Sequence, residues 1–242
     1  MIRDQARKLL NRIGYDVSPL IPPDMDGRFL TQYRQCKKYT VTSVERMFAL
    51  YQAVRYLVSC KISGDIVECG VWKGGSSMLC ALTLKTLRDT QRNIYLYDTF
   101  TGMTEPTEKD VNYKGEKAVR DEFNKWCAVP LGRVRDNMRL TGYPGMNIKF
   151  IKGRVEDTIP GIAPDKIALL RLDTDFYEST YHEMVHLLPR LVTGGVLIID
   201  DYGHFKGARE AVDKYFRENN VKILLNRIDY TGRIGIKMDG DK

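Results

Sequence analysis

Hydrophobic positions fall along this chain in two alternating rhythms. Short apolar runs at Asp65–Val71, Asn93–Phe100, Asn147–Val155, Lys166–Asp173 and Gly195–Asp200 have the length of buried strands. Helical periods predict helices over Ser76–Leu87, Glu116–Ala128, Ser179–Val192 and Ala208–Asn219, between several of those runs. Strands alternating with helices give a parallel, doubly wound sheet with helices on both faces. The chain closes on a different pattern. Val221–Ile228 and Arg233–Met238 are strand-like runs joined through Asp229-Tyr-Thr-Gly232, which predicts an antiparallel hairpin. The expected fold is therefore α/β, a mostly parallel seven-stranded sheet with an antiparallel end.

Residues 1–60 read as a helical cap: a basic amphipathic start, a turn at Pro19–Pro23 and a helix over Ser43–Cys60. Residues 61–242 form the core. Within it, 101–146 is long and polar with one expected helix, the pattern of a lid or substrate loop over the sheet's carboxyl edge.

A chain of 242 residues suits one large core and is short for two, so 1–242 is read as one domain. No apolar stretch approaches the roughly 20 residues that span a bilayer. The start MIRDQARKLL breaks its apolar residues with charges, unlike a secretory signal, so a cytoplasmic protein without a membrane partner is expected. The five cysteines are scattered without a C-x-x-C pair, and are read as reduced and structural. The net charge of +7 is spread over the chain, with a modest concentration between Lys114 and Arg139. It is read as a solvated basic surface, with no nucleic-acid partner.

The sharpest local signal is Glu68-Cys-Gly-Val-Trp-Lys-Gly-Gly-Ser-Ser77, where a strand turns into a helix. Gly70, Gly74 and Gly75 allow a tight turn and close backbone approach to a ligand at the helix start. A P-loop would need a lysine before its Ser/Thr, and a dinucleotide fingerprint G-x-G-x-x-G; this turn has neither. Glu68 would repel a pyrophosphate but suits a ligand with an ammonium and a sulfonium, as in S-adenosyl-L-methionine. The next strand ends at Asp98, before Thr99-Phe-Thr-Gly102, where a carboxylate can grip a ribose diol. Later strands close on Asp173 and Asp175, then on Asp200 and Asp201. A parallel sheet gathers these ends on one edge, and like charges gathered there need a cation. All-oxygen ligation favours Mg²⁺, Mn²⁺ or Ca²⁺ over zinc.

Taken in order, E-C-G-V-W-K-G-G-S, Y-D-T-F-T-G, G-R-V-E-D-T-I-P, L-R-L-D-T-D-F-Y-E-S-T and G-G-V-L-I-I-D-D-Y closely resemble the macrocin O-methyltransferase (TylF-type) family, over about residues 39 to 230. Those enzymes methylate sugar hydroxyls of macrolide and aminocoumarin natural products. More distantly, the carboxylate layout looks like that of catechol O-methyltransferase. The resemblance implies a Rossmann-like class I methyltransferase fold and a sugar or catechol-like diol as acceptor. It implies that Glu68, Cys69, Gly70, Val71, Trp72, Gly74 and Ser76 surround the methionine end of the cofactor. Asp98, Thr99, Phe100 and Gly102 would serve the ribose, and Gly153, Arg154, Val155 and Asp157 the adenine. Thr40 and Val41 would reach in from the amino-terminal segment. Asp173, Asp200 and Asp201 would bind Mg²⁺ (or Mn²⁺), with Asp173 and Asp175 in catalytic roles. The family often carries a lid histidine proposed as a base, yet 101–146 contains none. Asp175 or metal-activated deprotonation takes its place. The amino-terminal helices could serve as a homodimer contact.

Two other readings stay open. His182-Glu-Met-Val-His186 is a literal H-E-x-x-H, the signature of a zinc hydrolase using His182, Glu183 and His186. On the expected helix the apolar stripe is Tyr181, Met184, Val185, Leu188 and Val192, which leaves both histidines on the solvent flank. The second is a non-catalytic nucleotide-binding module with a degenerate site. A nucleic-acid amino-methylase is disfavoured, because Asp200-Asp-Tyr-Gly203 lacks the [DN]-P-P-[YF] stretch.

Overall fold

The structure, a computed structural model, describes residues 21–240. The amphipathic start and the first part of the Pro19–Pro23 turn lie outside the described residues. Among the described residues the cap contains two α-helices. α1 (Gly27–Cys36) begins where the Asp26 carboxylate accepts the Phe29 N–H, and α2 (Val44–Ser59) where Ser43 Oγ accepts the Arg46 N–H. The core then runs β1 (Asp65–Cys69), α3 (Gly75–Thr86), β2 (Ile94–Asp98), α4 (Arg120–Cys127), α5 (Leu131–Arg139), β3 (Ile148–Lys152), α6 (Val155–Thr158), β4 (Ile167–Leu172), α7 (Tyr177–Leu187), β5 (Leu191–Ile199), α8 (Lys206–Glu218), β6 (Asn226–Arg227) and β7 (Arg233–Ile236).

The seven strands lie in the order β3-β2-β1-β4-β5-β7-β6. β1 to β5 are parallel, and β7 is antiparallel to both β5 and β6. The order reverses between β1 and β4, which opens a crevice at their carboxyl ends. Strand residues alternate between two apolar layers. Ile66, Ile94, Leu96 and Val196 pack with Phe29, Met47 and Leu79 on the α1–α3 side. Val67, Tyr97, Leu170 and Leu197 pack with Met184, Leu187 and Val212 on the α7–α8 side. The cap is thus part of the core, because α2 packs on β4 and β5 while α1 packs on α2 and α3. All five cysteines are free, and no helix among the described residues is long and apolar enough to cross a membrane.

Five local expectations are corrected. The helix expected to run to Val192 ends at Leu187, followed by a 3₁₀ turn at Leu188–Arg190. Pro189 has no N–H and cannot continue the helix, so β5 begins at Leu191, earlier than Gly195. The buried face of α7 is Tyr177, Thr180, Glu183, Met184 and Leu187; Val185, assigned to the apolar stripe, is exposed. The lid segment holds two helices, α4 and α5, separated at Pro130. Only Asn226–Arg227 of the run Val221–Ile228 pairs as a strand, while Val221 and Ile223 pack into the α8-side core.

Candidate active site

At the crevice, three strand ends are stitched together by backbone. Gly70 donates its N–H to Tyr97 O at 2.9 Å, and its φ is +81°. A Cβ on Gly70 would lie 2.0 Å from the carbonyl oxygen of Asp173, so only glycine lets β1 and β4 close here. The Asp98 carboxylate shapes the turn. Oδ2 accepts the N–H groups of Val71 (2.7 Å) and Trp72 (3.1 Å), and Oδ1 accepts that of Phe100 (2.6 Å). Burial pushes the Asp98 pKa up, against the pull of those N–H donors.

A cavity of about 300 Å³ starts on this turn, at Gly70, Val71, Trp72, Asp98 and Gly102, and ends on Asp173, Asp175, Asp200 and Asp201. An adjoining hollow of about 70 Å³ is bordered by Asp98, Thr99, Gly102, Gly153, Arg154 and Val155. Val41, 66 % exposed, borders the main cavity from the cap. The other expected cofactor residues lie off these walls. Thr40 packs against the start of α3, where a Gly75 Cβ would meet its Cβ at 2.7 Å. Cys69, Ser76 and Phe100 are buried, Gly74 caps α3, and Asp157 is exposed while Glu156 borders the hollow. Glu68 is buried too, its oxygens taken by Arg171 (2.6 Å) and the Ser77 hydroxyl.

Arg171 governs the charges behind the cavity. This guanidinium, 3 % exposed within an all-buried strand, donates to Glu68 (2.6 Å), Asp173 (2.7 Å), Asp200 (2.6 Å) and Thr42 Oγ1 (3.2 Å). Asp200 is held from its other side by Arg46, which also donates to Asp229 at 3.0 Å. Asp173, Asp175 and Asp201 each bring an oxygen within 4.8 Å of one another. Burial, then the charge of Asp173, pushes Asp175 up to about 7. Burial also raises Asp173 and Asp201, and Asp201 Oδ2 is buried without a protein partner. Three carboxylates clustered at the cavity floor, one with an orphaned oxygen, fit a hard divalent cation. The expected set was Asp173, Asp200 and Asp201; in this arrangement Asp175 completes the trio, and Asp200 faces two arginines.

The lid rests on the glycine-rich turn. Trp72 Nε1 donates to Trp126 O at 3.0 Å and the indoles meet edge to face, 6.1 Å apart. Asn124 Oδ1 accepts the Met103 N–H at 2.8 Å, in the space a Gly102 Cβ would take. Arg46, Arg171, Trp126, His204 and Tyr230 were missed as site residues. Arg171 had a signal, a charge inside an apolar strand, and so had the chain's only two tryptophans, Trp72 and Trp126.

The H-E-x-x-H residues form no such centre. The His182 and His186 rings lie 4.4 Å apart, and His182 Nε2 is 2.9 Å from Ile159 O. Among the described residues, the aspartate trio is the only group of three metal-ligating side chains. Glu183 is fully buried, accepts from Thr174 Oγ1 at 3.1 Å, and has its pKa raised well above the carboxylate range by burial. A carboxyl with a raised folded pKa stabilises below its unfolded pKa, and that contribution fades as pH rises toward the folded value. Glu183→Gln removes the titration. Its stability relative to wild type should rise from pH 5 to pH 8 in parallel urea melts; a constant difference would refute a protonated Glu183.

The family model of macrocin O-methyltransferases (TylF) matches residues 14–234. The chain is 34 % identical over 235 residues to the 8-demethyl-8-(2,3-dimethoxy-alpha-L-rhamnosyl)-tetracenomycin-C 4'-O-methyltransferase of Streptomyces olivaceus, covering 95 % of this chain and 89 % of that one. It is 31 % identical to the demethyldecarbamoylnovobiocin O-methyltransferase of Streptomyces niveus, with coverages of 80 % and 74 %. The solved O-methyltransferase NovP superimposes with a TM-score of 0.74 at 30 % identity, covering 83 % of this chain and 82 % of that one. The glycine-rich turn, the Asp98 strand end and the strand-end aspartates thus sit in a chain that belongs to the macrocin O-methyltransferase family, as an S-adenosylmethionine-dependent O-methyltransferase.

Proposed function

We propose that this enzyme methylates one hydroxyl of a vicinal diol on a sugar moiety of a small molecule, with Mg²⁺ (or Mn²⁺) bound at the aspartates. The observation that carries this reading is one cavity running from the glycine-rich turn to Asp173, Asp175 and Asp201. The tetracenomycin relative, by its name a 4'-O-methyltransferase of a rhamnosyl compound, supports the sugar acceptor.

S-adenosylmethionine supplies an electrophilic methyl group, and a hard cation beside a hydroxyl lowers its pKa. The chain's residues do the rest. The Gly70–Trp72 backbone takes the methionine end, Asp98 the ribose diol, and Gly153 to Val155 the adenine. Trp72 and Trp126 keep water off the turn. Asp173 and Asp201 are assigned to the ion together with Asp200, which borders the same cavity and would trade one of its contacts with Arg171 or Arg46 for the ion. Asp175, whose carboxylate lies among those of Asp173 and Asp201 and borders the cavity, is assigned the hydroxyl proton.

The test is turnover of methyl α-L-rhamnopyranoside with S-adenosylmethionine. Activity should vanish in EDTA and return with Mg²⁺; full turnover in EDTA would remove the ion from the mechanism. Asp200→Asn should lose Mn²⁺ binding. Asp175→Asn should keep Mn²⁺ and lose about 10²- to 10⁴-fold in kcat. The opposite pattern would make Asp175 the ligand.

A further inference from the structure

Part of the cavity wall is aromatic and formed by residues assigned to neither cofactor nor ion. His204, Phe205 and Tyr230 border it there. Tyr113 from the lid packs its ring against two of them, His204 and Tyr230. The rings of Tyr113, His204 and Tyr230 meet edge to face in a triangle, with centroids 5.6, 6.1 and 6.0 Å apart. Tyr113 and Tyr230 are each 54 % exposed. The three residues come from three separate stretches, so neighbouring sequence does not bring them together.

The triangle is built into the backbone. Tyr113 lies near the tip of a small lid hairpin closed by the Val111–Lys117 bridge, with Asn112 Oδ1 accepting the N–H groups of Lys114 (2.9 Å) and Glu116 (3.0 Å). Asn112 also pairs with Phe205, which ties the tip to the cavity wall. Tyr230 lies in the turn before β7. Its carbonyl oxygen fills the space a Gly203 Cβ would need, at 1.9 Å, and Gly203 N–H donates to Thr231 O at 2.9 Å. The absent side chain at Gly203 therefore lets the turn close on His204. Tyr230 Oη sits 3.2 Å from His204 Nδ1, which fixes the imidazole and leaves Nε2 as its remaining polar atom.

Half-exposed aromatic rings beside a polar cavity lose contact with water when an apolar face covers them, and tyrosine does so at low entropic cost. A pyranose matches such a wall, with C–H groups on its faces and hydroxyls at its rim. We propose that Tyr113, His204 and Tyr230 are acceptor-positioning residues. One tyrosine ring lies against a C–H face of the sugar while the other, at 67° to it, borders the sugar's edge, and His204 Nε2 hydrogen-bonds a rim hydroxyl, so that one chosen hydroxyl reaches the aspartates. They set regiochemistry and acceptor affinity, while the aspartates act on the hydroxyl delivered to them. This assignment rests on the sugar-acceptor reading.

The experiment uses full-length enzyme with Mg²⁺, S-adenosylmethionine and methyl α-L-rhamnopyranoside, and identifies the methylated position by NMR. Tyr113→Ala and Tyr230→Ala should each raise KM for the glycoside about tenfold with kcat within about threefold. Calorimetric affinity for S-adenosylhomocysteine should stay at the wild-type value, which also reports an intact fold. Tyr113→Phe keeps the ring and should restore KM. Tyr230→Phe and His204→Gln release the imidazole or remove it, and should spread methylation over two positions. Wild-type KM and a single product in both alanine variants would overturn the assignment alone. No binding or turnover of the glycoside by the wild type would overturn the sugar reading, and this assignment with it.

Discussion

Arg171→Met should cost about 3–5 kcal/mol of stability, because it leaves carboxylates buried without their counter-ion. Glu68, Asp173 and Asp200 all accept from this guanidinium, within 2.6 to 2.7 Å, and all its partners sit on strand ends or the adjoining cap. Arg46 still faces Asp200, but among the described residues the only other side-chain donor to Glu68 is the Ser77 hydroxyl. A loss of that size lowers the melting temperature by about 10 °C in a chain of this length. Arg171→Lys keeps the charge but not the planar fork, so it should fall between the two. Calorimetric melts of the three proteins decide it. A melting temperature for Arg171→Met equal to wild type would mean that the carboxylates are neutral, or paired otherwise, in the folded protein.

The second large effect is expected from a single methyl group. Gly70→Ala puts a Cβ 2.0 Å from Asp173 O and 2.6 Å from its carbonyl carbon, at a φ of +81° that side chains rarely adopt. Backbone cannot rotate out of the way as a side chain can, so β1 and β4 must part where Asp173 emerges. A displacement of about 1 Å at reacting groups costs on the order of 100-fold in rate. Methyl transfer should fall by at least that factor, together with affinity for S-adenosylhomocysteine. Gly132→Ala is the control, since nothing lies within 4 Å of its Cβ in the exposed first turn of α5. It should melt and turn over as wild type does. Wild-type affinity in Gly70→Ala would show that the turn is not the cofactor seat.

Much of this architecture follows from one-dimensional pattern. The five parallel strands were legible because each is a short apolar run bounded by polar residues, and burial on both faces demands such runs. Their order in the sheet had to come from packing. The antiparallel end was legible in Asp229-Tyr-Thr-Gly232, though not that β7 would insert between β5 and β6. Asp98, Asp173, Asp175 and Asp201 could be named as site residues because parallel strands deliver their carboxyl ends to one edge, and an aspartate closing a strand arrives there. The helices α1 and α5 were missed because both are short and mostly polar, and their few buried positions set too weak an apolar period to register.

The chain alone determined that a glycine-rich turn, Asp98 and a group of strand-end carboxylates share one edge of a parallel sheet. Tertiary structure decided which carboxylate faces what. It placed Glu68 and Asp200 against arginines, left Asp175 among Asp173 and Asp201, and set His204, Tyr113 and Tyr230 together at the mouth. The physical reason is range. Strand and helix periods are fixed by neighbours a few residues apart, whereas the charge balance of a buried carboxylate depends on side chains more than a hundred residues away, as Glu68 and Arg171 are.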